Sequence, residues 1–202
     1  MKEEKRLKVL GISASPRIGQ NTETLIEKVL EGSASLGAET ELYTISGKNI
    51  GFCTGCSKCR ETKKCVIDDD MQELYNKILE TDGIVIGSPV YYYDVTAQCK
   101  MIIDRTIAIA PINGNKVGGI VAVAGSLGLS EVVKNLNMYF SVQGITSAGW
   151  VAVYSPVEGK PKAQKSAFEL GVKIVKMINA QKMERTGAYN KHSSFAYGTH
   201  TL

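Results

Sequence analysis

Leu7-Lys8-Val9-Leu10-Gly11-Ile12 passes directly into Ser13-Ala14-Ser15-Pro16-Arg17-Ile18-Gly19-Gln20-Asn21-Thr22. The first six residues are a short apolar run, and the Gly/Ser/Pro-rich stretch behind them is where a strand has to stop. From Thr22 to Leu36 the apolar side chains of Leu25, Val29 and Leu36 recur at helical spacing, which predicts an amphipathic helix. A buried strand, a loop and a helix make the first unit of an alternating α/β chain.

The same alternation continues to the far end. Glu39–Ile45 alternates polar and apolar residues, as a strand near a sheet edge does. Met71, Leu74 and Ile78 mark a helix ending at Glu80, with one of Asp68, Asp69 and Asp70 as its N-terminal cap. Gly83–Gly87 is the most clearly buried strand, followed by a helix around Thr96–Thr106. Val117–Ala124 and Ile145–Val153 read as further strands, with helices near Ser130–Phe140 and Lys162–Gln181. Five such units predict a doubly wound parallel sheet of order 2-1-3-4-5 with helices on both faces. Ligands of such a sheet bind beyond the carboxyl ends of its strands, at the switch between the first and third. The loops Ser13–Asn21, Ser88–Val95 and Gly125–Leu129 fall there. No domain boundary is visible, so residues 1–202 read as one domain. It carries a cysteine-rich loop at 47–67 and a polar tail at 186–202 that holds His192 and His200.

Composition excludes several classes. The 202 residues are 44% hydrophobic, enough for a full core. The net charge of +4, from 24 basic and 20 acidic side chains, is too weak and dispersed for a nucleic-acid groove. The segment Met1–Lys8 is charged and lacks the apolar region of a signal peptide. No apolar run reaches the length of a membrane span. The expectation is a cytoplasmic protein in a reducing compartment, where thiols stay unoxidised.

The first loop is prepared for an anion, because a helix N-terminus presents unpaired N–H groups and a partial positive charge. Ser13, Ser15, Asn21 and Thr22 add hydroxyl or amide donors, and Arg17 adds charge. Such convergence suits a terminal phosphomonoester. There is no G-x-G-x-x-G after the first strand and no acidic residue at the end of the second, so FMN is favoured over a resident NAD or FAD. The plainer reading makes Ser13 and Ser15 turn residues and Thr22 a helix cap. In the second loop, Ser88-Pro89-Val90-Tyr91-Tyr92-Tyr93-Asp94, three adjacent tyrosines suit a flat ring or a partner chain. Backbone N–H groups around Pro89–Tyr92 would meet the pyrimidine edge of an isoalloxazine. Gly125, Ser126 and Gly128 permit close approach from the opposite wall.

Four of the five cysteines form a compact run: Cys53, Cys56 and Cys59 at C-x₂-C-x₂-C spacing, then Cys65. Bacterial ferredoxins hold [4Fe–4S] clusters on a similar run. Structural zinc more often takes two separated CxxC pairs. Zinc, unliganded thiols and disulfides are the other readings, although neighbours this close pair poorly. Cys99, in the helix after the tyrosines, reads as a small buried side chain.

Taken together, Ser13-Ala14-Ser15-Pro16-Arg17, C-x₂-C-x₂-C-x₅-C followed by Val66-Ile67-Asp68-Asp69-Asp70-Met71, and Gly87-Ser88-Pro89-Val90-Tyr91-Tyr92 resemble the iron–sulfur flavoproteins of the NAD(P)H-dependent FMN reductase superfamily. The resemblance covers residues 7 to about 180. It implies a flavodoxin-like fold, bound FMN, a [4Fe–4S] cluster and a homodimer or homotetramer in which one subunit's cluster lies near its neighbour's flavin. It makes Cys53, Cys56, Cys59 and Cys65 the cluster ligands, and gives the FMN phosphate to Ser13, Ser15, Arg17, Asn21 and Thr22. It sets Pro89, Val90, Tyr91, Tyr92 and Gly125 near the ring. The third loop, Ala124-Gly125-Ser126-Leu127-Gly128, departs from the longer glycine run of many relatives. No acid–base residue stands out as catalytic.

A flavin exchanges electrons singly or in pairs, whereas a [4Fe–4S] cluster moves one at a time. The implied function is an oxidoreductase in which ferredoxin or a similar carrier feeds the cluster, the cluster feeds FMN, and FMN reduces a small-molecule acceptor. Lys58, Arg60, Lys63 and Lys64 would offset the cluster's charge and attract an acidic donor. The competing readings are a flavin-only NAD(P)H-dependent FMN or quinone reductase with idle or zinc-bound cysteines, and a non-catalytic carrier or Cys₄-zinc interaction module.

Overall fold

A computed structural model describes residues 6–112 and 115–186. It contains a parallel sheet of order β2-β1-β3-β4-β5. The strands are β1 (Lys8–Ser13), β2 (Glu39–Thr44), β3 (Gly83–Pro89), β4 (Val117–Ala124) and β5 (Thr146–Tyr154). The helices are α1 (Asn21–Ala34), a single turn α2 (Cys59–Thr62), α3 (Met71–Glu80), α4 (Ala97–Arg105), α5 (Leu129–Gln143) and α6 (Pro161–Thr186), with a 3₁₀ turn at Thr106–Ile109. The expected fold class and strand order are both present. β3 and β4 are buried along their whole length, as central parallel strands must be, while the edge strands β2 and β5 are only partly covered. The tail expected from 186 onward, with His192 and His200, lies outside the described residues except for Thr186, where α6 ends.

Alternate side chains of each central strand feed two apolar layers. Leu10, Ile12, Ile84, Ile86 and Ile120 pack against α3, α4 and α5 through Leu74, Ile78, Ile102, Leu136 and Phe140. Val9, Val85, Val117 and Val121 pack against α1 and α6 through Leu25, Ile26, Val29, Leu170 and Ile174. Leu36 stands beyond the end of α1 and is exposed, so the helix buries a shorter stripe than its spacing suggests.

The position of α1 depends on glycine. A Cβ at Gly171 would lie 1.8 Å from the Val29 carbonyl oxygen, and one at Gly32 would lie 2.0 Å from that of Phe168. Backbone therefore meets backbone where α1 crosses α6. This contact fixes the axis of α1, whose first turn follows directly on the loop after β1.

Candidate functional site

The loop between β1 and α1 is held from below, leaving its upper surface open. Gln20 occupies the N-cap position of α1 without a side-chain capping bond, so the first-turn N–H groups are not taken by the usual hydroxyl or carboxylate. The buried carboxylate of Glu23 accepts from the Gly19 N–H and from the Thr44 hydroxyl, tying the loop to β2. Ser46 donates its hydroxyl to the Pro16 carbonyl at 3.0 Å. Ser15 Oγ accepts from the Arg17 N–H at 3.1 Å and donates to the Arg17 carbonyl, which shapes the turn. Asn21 Oδ1 accepts from the Val157 N–H at 2.7 Å, which leaves the Asn21 amide hydrogens as donors.

A cleft above this loop is lined by Ser15, Arg17, Asn21, Thr22, Pro89, Val90, Tyr91 and Gly125, together with Gln20, Val123, Ala124 and Ser155. Eight of the ten residues expected around a flavin are thus brought together from three loops. Ser13 is fully buried beneath the loop and is not among the lining residues; its hydroxyl has no hydrogen-bond partner among the described residues. Tyr92 also stands outside the cleft, with 97% of its surface exposed. Glu23, Gln20 and Ser155 are contributions that the sequence did not single out. Glu23 has a sequence signal in hindsight, as an acid in the first turn of an uncapped helix.

Tyr92 sits at the tip of a tight hairpin. Tyr91 and Asp94 exchange backbone hydrogen bonds, N–H to carbonyl at 2.9 and 3.2 Å, across Tyr92 and Tyr93. Both tyrosines have positive φ, 48° and 68°, as in the two-residue turns that normally require Asn-Gly. The Val90 N–H donates to Val123 and the Tyr91 N–H to Asp94, so neither is open to a flavin edge, contrary to the simplest expectation for this stretch. Asp94 accepts from the Val95 N–H and from Asn135 of α5, which braces the hairpin.

The cysteine loop is closed at its base. Asn49 and Asp70 bond each other through the Asn49 N–H to Asp70 Oδ2, 2.7 Å, and the Asp70 N–H to the Asn49 carbonyl, 3.0 Å. Asp69 accepts from the Gly51 N–H at 2.8 Å and the Met71 N–H at 3.1 Å. Asp70 occupies the N-cap position of α3 without capping it, and Asp69 serves the helix end instead. Burial alone would raise the Asp69 pKa, but bonds from Arg105 and the two N–H groups outweigh it and hold the carboxyl below its ordinary value. Between these ties, Cys53, Cys56, Cys59 and Cys65 line one small cavity with Val66, Ile67, Arg105 and Ala108. None of the five cysteines is joined in a disulfide in this structure.

Among the described residues no group of three or more Cys, His, Asp or Glu side chains is disposed to hold a metal ion. The four cysteines that line this cavity are in number and kind the donor set that a [4Fe–4S] cluster would take, one sulfur to each iron. The Lys58 N–H beside Cys56 holds that thiol below its ordinary pKa, which favours its thiolate form. Burial pushes the Cys99 thiol up to about 12, and it belongs to the core. The chemistry of the cleft also suits FMN, since its lining offers an uncapped helix N-terminus, the guanidinium of Arg17 and the free amide hydrogens of Asn21.

A doubly wound sheet with an anion-ready loop at its switch point defines a flavodoxin-like protein. The sequence signature of the NADPH-dependent FMN reductase family matches residues 7–157, and the chain belongs to that family, among its iron–sulfur flavoproteins. It is 40% identical to an iron–sulfur flavoprotein of Methanocaldococcus jannaschii over 147 residues, 71% of this chain and 76% of the relative. It is 34% identical to an iron–sulfur flavoprotein of Archaeoglobus fulgidus over 180 residues, 87% of this chain and 82% of the relative. An archaeal flavodoxin superposes with a TM-score of 0.60 at 17% identity, covering 86% of this chain and 99% of that one, which shows the shared fold. The protein is an FMN-dependent oxidoreductase. No helix among the described residues is long and apolar enough to cross a membrane.

Proposed function

We propose that this chain passes electrons from a one-electron donor such as ferredoxin, by way of a [4Fe–4S] cluster on Cys53, Cys56, Cys59 and Cys65, to FMN and then to a small-molecule acceptor. The observation that supports this most is the common cavity of the four thiols in a chain that also builds a flavin cleft. The cofactors supply the conversion between one- and two-electron chemistry. The protein's part is placement. Arg17, Asn21, Thr22 and the first turn of α1 hold the phosphate, with Ser15 shaping the turn beside it and Ser13 buried below. Pro89, Val90, Tyr91 and Gly125 border the ring. Tyr92, exposed on a strained turn, serves a neighbouring subunit in a homodimer or homotetramer. Lys58, Arg60, Lys63 and Lys64 are all exposed around the cysteine loop, where they suit an acidic carrier. The setting is a reducing cytoplasm.

Iron, acid-labile sulfide and flavin measured in one anaerobically reconstituted sample test the reading. About four irons and four sulfides per flavin are expected; full flavin with little iron would overturn it. A second reading, direct reduction of the flavin by NADPH with idle cysteines, is favoured by the family's own description. Rapid flavin bleaching on anaerobic mixing with NADPH, with no carrier added, would select it.

A further inference from the structure

Arg105, the last residue of α4, is 1% exposed and belongs to neither the flavin cleft nor a surface ion-pair network. Its Nη1 donates to the Gly51 carbonyl at 2.7 Å and to Asp69 Oδ2 at 2.8 Å, and its Nη2 donates to Asp69 Oδ1 at 3.0 Å. Its own carbonyl accepts from the Tyr75 hydroxyl at 2.8 Å. The guanidinium thus joins Gly51, just before the first cysteine of the run, to Asp69, just after the last. It clamps the loop shut.

The bonds to Gly51 and Asp69 spend three of its five N–H groups, and Nε makes none of them. Arg105 Nε is buried and has no hydrogen-bond partner among the described residues. A buried N–H on a charged group is costly to leave unpaired, so native structures provide an acceptor. Asp69 cannot take it: its two oxygens already accept from Gly51, Met71, Nη1 and Nη2. Arg105 lines the cavity that all four loop cysteines share. The other polar side chains of that lining, Thr54 and Ser57, are exposed on the outer part of the loop. The Tyr75 hydroxyl also lies against the guanidinium, and beside it the cysteine sulfurs are the acceptors that the shared cavity offers.

We propose that Arg105 positions the cysteine loop and donates its Nε–H to a ligating sulfur, favouring the reduced form of the cluster. This rests on the cluster reading above. A hydrogen bond to sulfur strengthens as the sulfur gains negative charge, so it stabilises the state that holds one more electron. Asp69 is bound on the far side of the guanidinium by the two Nη atoms, which orients the Nε–H instead of competing for it. The residue acts through the cluster's ligands and is not itself a reacting group.

The test is a dithionite titration of the reconstituted holoprotein, following the cluster by electron paramagnetic resonance and the flavin by absorbance in the same sample. Arg105→Lys keeps a cation beside Asp69 and loses the Nε–H. At a fixed potential its ratio of reduced to oxidised cluster should fall about tenfold, equivalent to about 59 mV for one electron. The flavin potential should not move. A cluster potential unchanged in iron-replete R105K overturns the proposal.

The wild-type protein gives an answer even where R105K fails to load iron. With arginine side chains labelled by ¹⁵N, the reduced cluster should show a weak nitrogen coupling that survives replacement of the loop's own arginine, Arg60→Lys. A loaded wild-type cluster without that coupling overturns the proposal alone. A wild-type sample that takes flavin but neither iron nor sulfide overturns the cluster reading, and the proposal with it.

Discussion

Asn21 Oδ1 accepts the Val157 N–H at 2.7 Å, joining the first turn of α1 to the loop after β5 across 136 residues of chain. One side chain therefore fixes the helix N-terminus to the opposite wall of the cleft and also decides which of its own atoms face a ligand. The oxygen is committed to Val157, and the amide hydrogens are left for an anion.

Asn21→Asp tests that division of labour. The carboxylate keeps the acceptor for Val157, so the fold should survive, but it places a negative charge beside the proposed phosphate. FMN affinity should fall by about 1.5–3 kcal/mol, the value of a hydrogen bond to a charged group. Riboflavin, which has no phosphate, should bind as before. Flavin fluorescence quenching with the two ligands checks the contrast; equal losses for both would contradict the phosphate placement.

Gly125 offers an independent probe of the ring end. A Cβ there would meet nothing within 4 Å, and its φ lies outside the left-handed region, so a larger side chain strains nothing in the protein. Gly125→Leu should change stability by no more than about 0.5 kcal/mol, as at ordinary surface positions. It should nevertheless weaken FMN tenfold or more, because the side chain would enter the cleft. Melting curves of the apo-protein alongside flavin titration separate the two effects.

Replacing Tyr92-Tyr93 by Asn-Gly reverses the usual sign of a mutation. Both tyrosines hold positive φ, at roughly 1–2 kcal/mol each for an L-residue, and Tyr92 buries almost nothing in the isolated chain. Urea denaturation should show the apo-protein more stable, by about 1 kcal/mol or more. Assembly measured by light scattering should weaken, since the strained turn is retained for what it presents. A stabilised variant with unchanged assembly and flavin binding would leave that turn without a purpose.

Cys56→Ala should remove the cluster's absorption while FMN stays bound, since the phosphate loop draws nothing from the cysteine loop. Chelation of the wild-type protein should then expose four thiols to iodoacetamide at pH 8. Cys99, with its pKa pushed up to about 12 by burial, remains protonated and enclosed at that pH, and should be labelled only after unfolding. Mass spectrometry of the alkylated peptides gives the count.

Much of this protein was legible from local pattern. Strand positions such as Val117–Ala124 follow from apolar runs because a doubly covered parallel sheet leaves no polar face to conceal. The cysteine run was equally plain, because its ligands are contiguous in sequence. The hairpin under Tyr92 was less so: two tyrosines at positive φ go against local preference, and only the bonds between Tyr91 and Asp94 show that the chain adopts it. Glu23 was missed because an acid in a first helical turn is commonplace until Thr44 and Gly19 are seen around it.

The sequence by itself determined the order of elements, the strand order they demand and the residue types gathered at each loop, since periodicity and spacing are properties of neighbours along the chain. Only the tertiary structure decided which donors remain open. Asn21 loses its oxygen to Val157, Val90 and Tyr91 lose their N–H groups to Val123 and Asp94, and Arg105 is brought from α4 to the cysteine cavity with its Nε–H unspent. Hydrogen-bonding capacity is divided among partners distant in sequence, and no reading along the chain can follow that division.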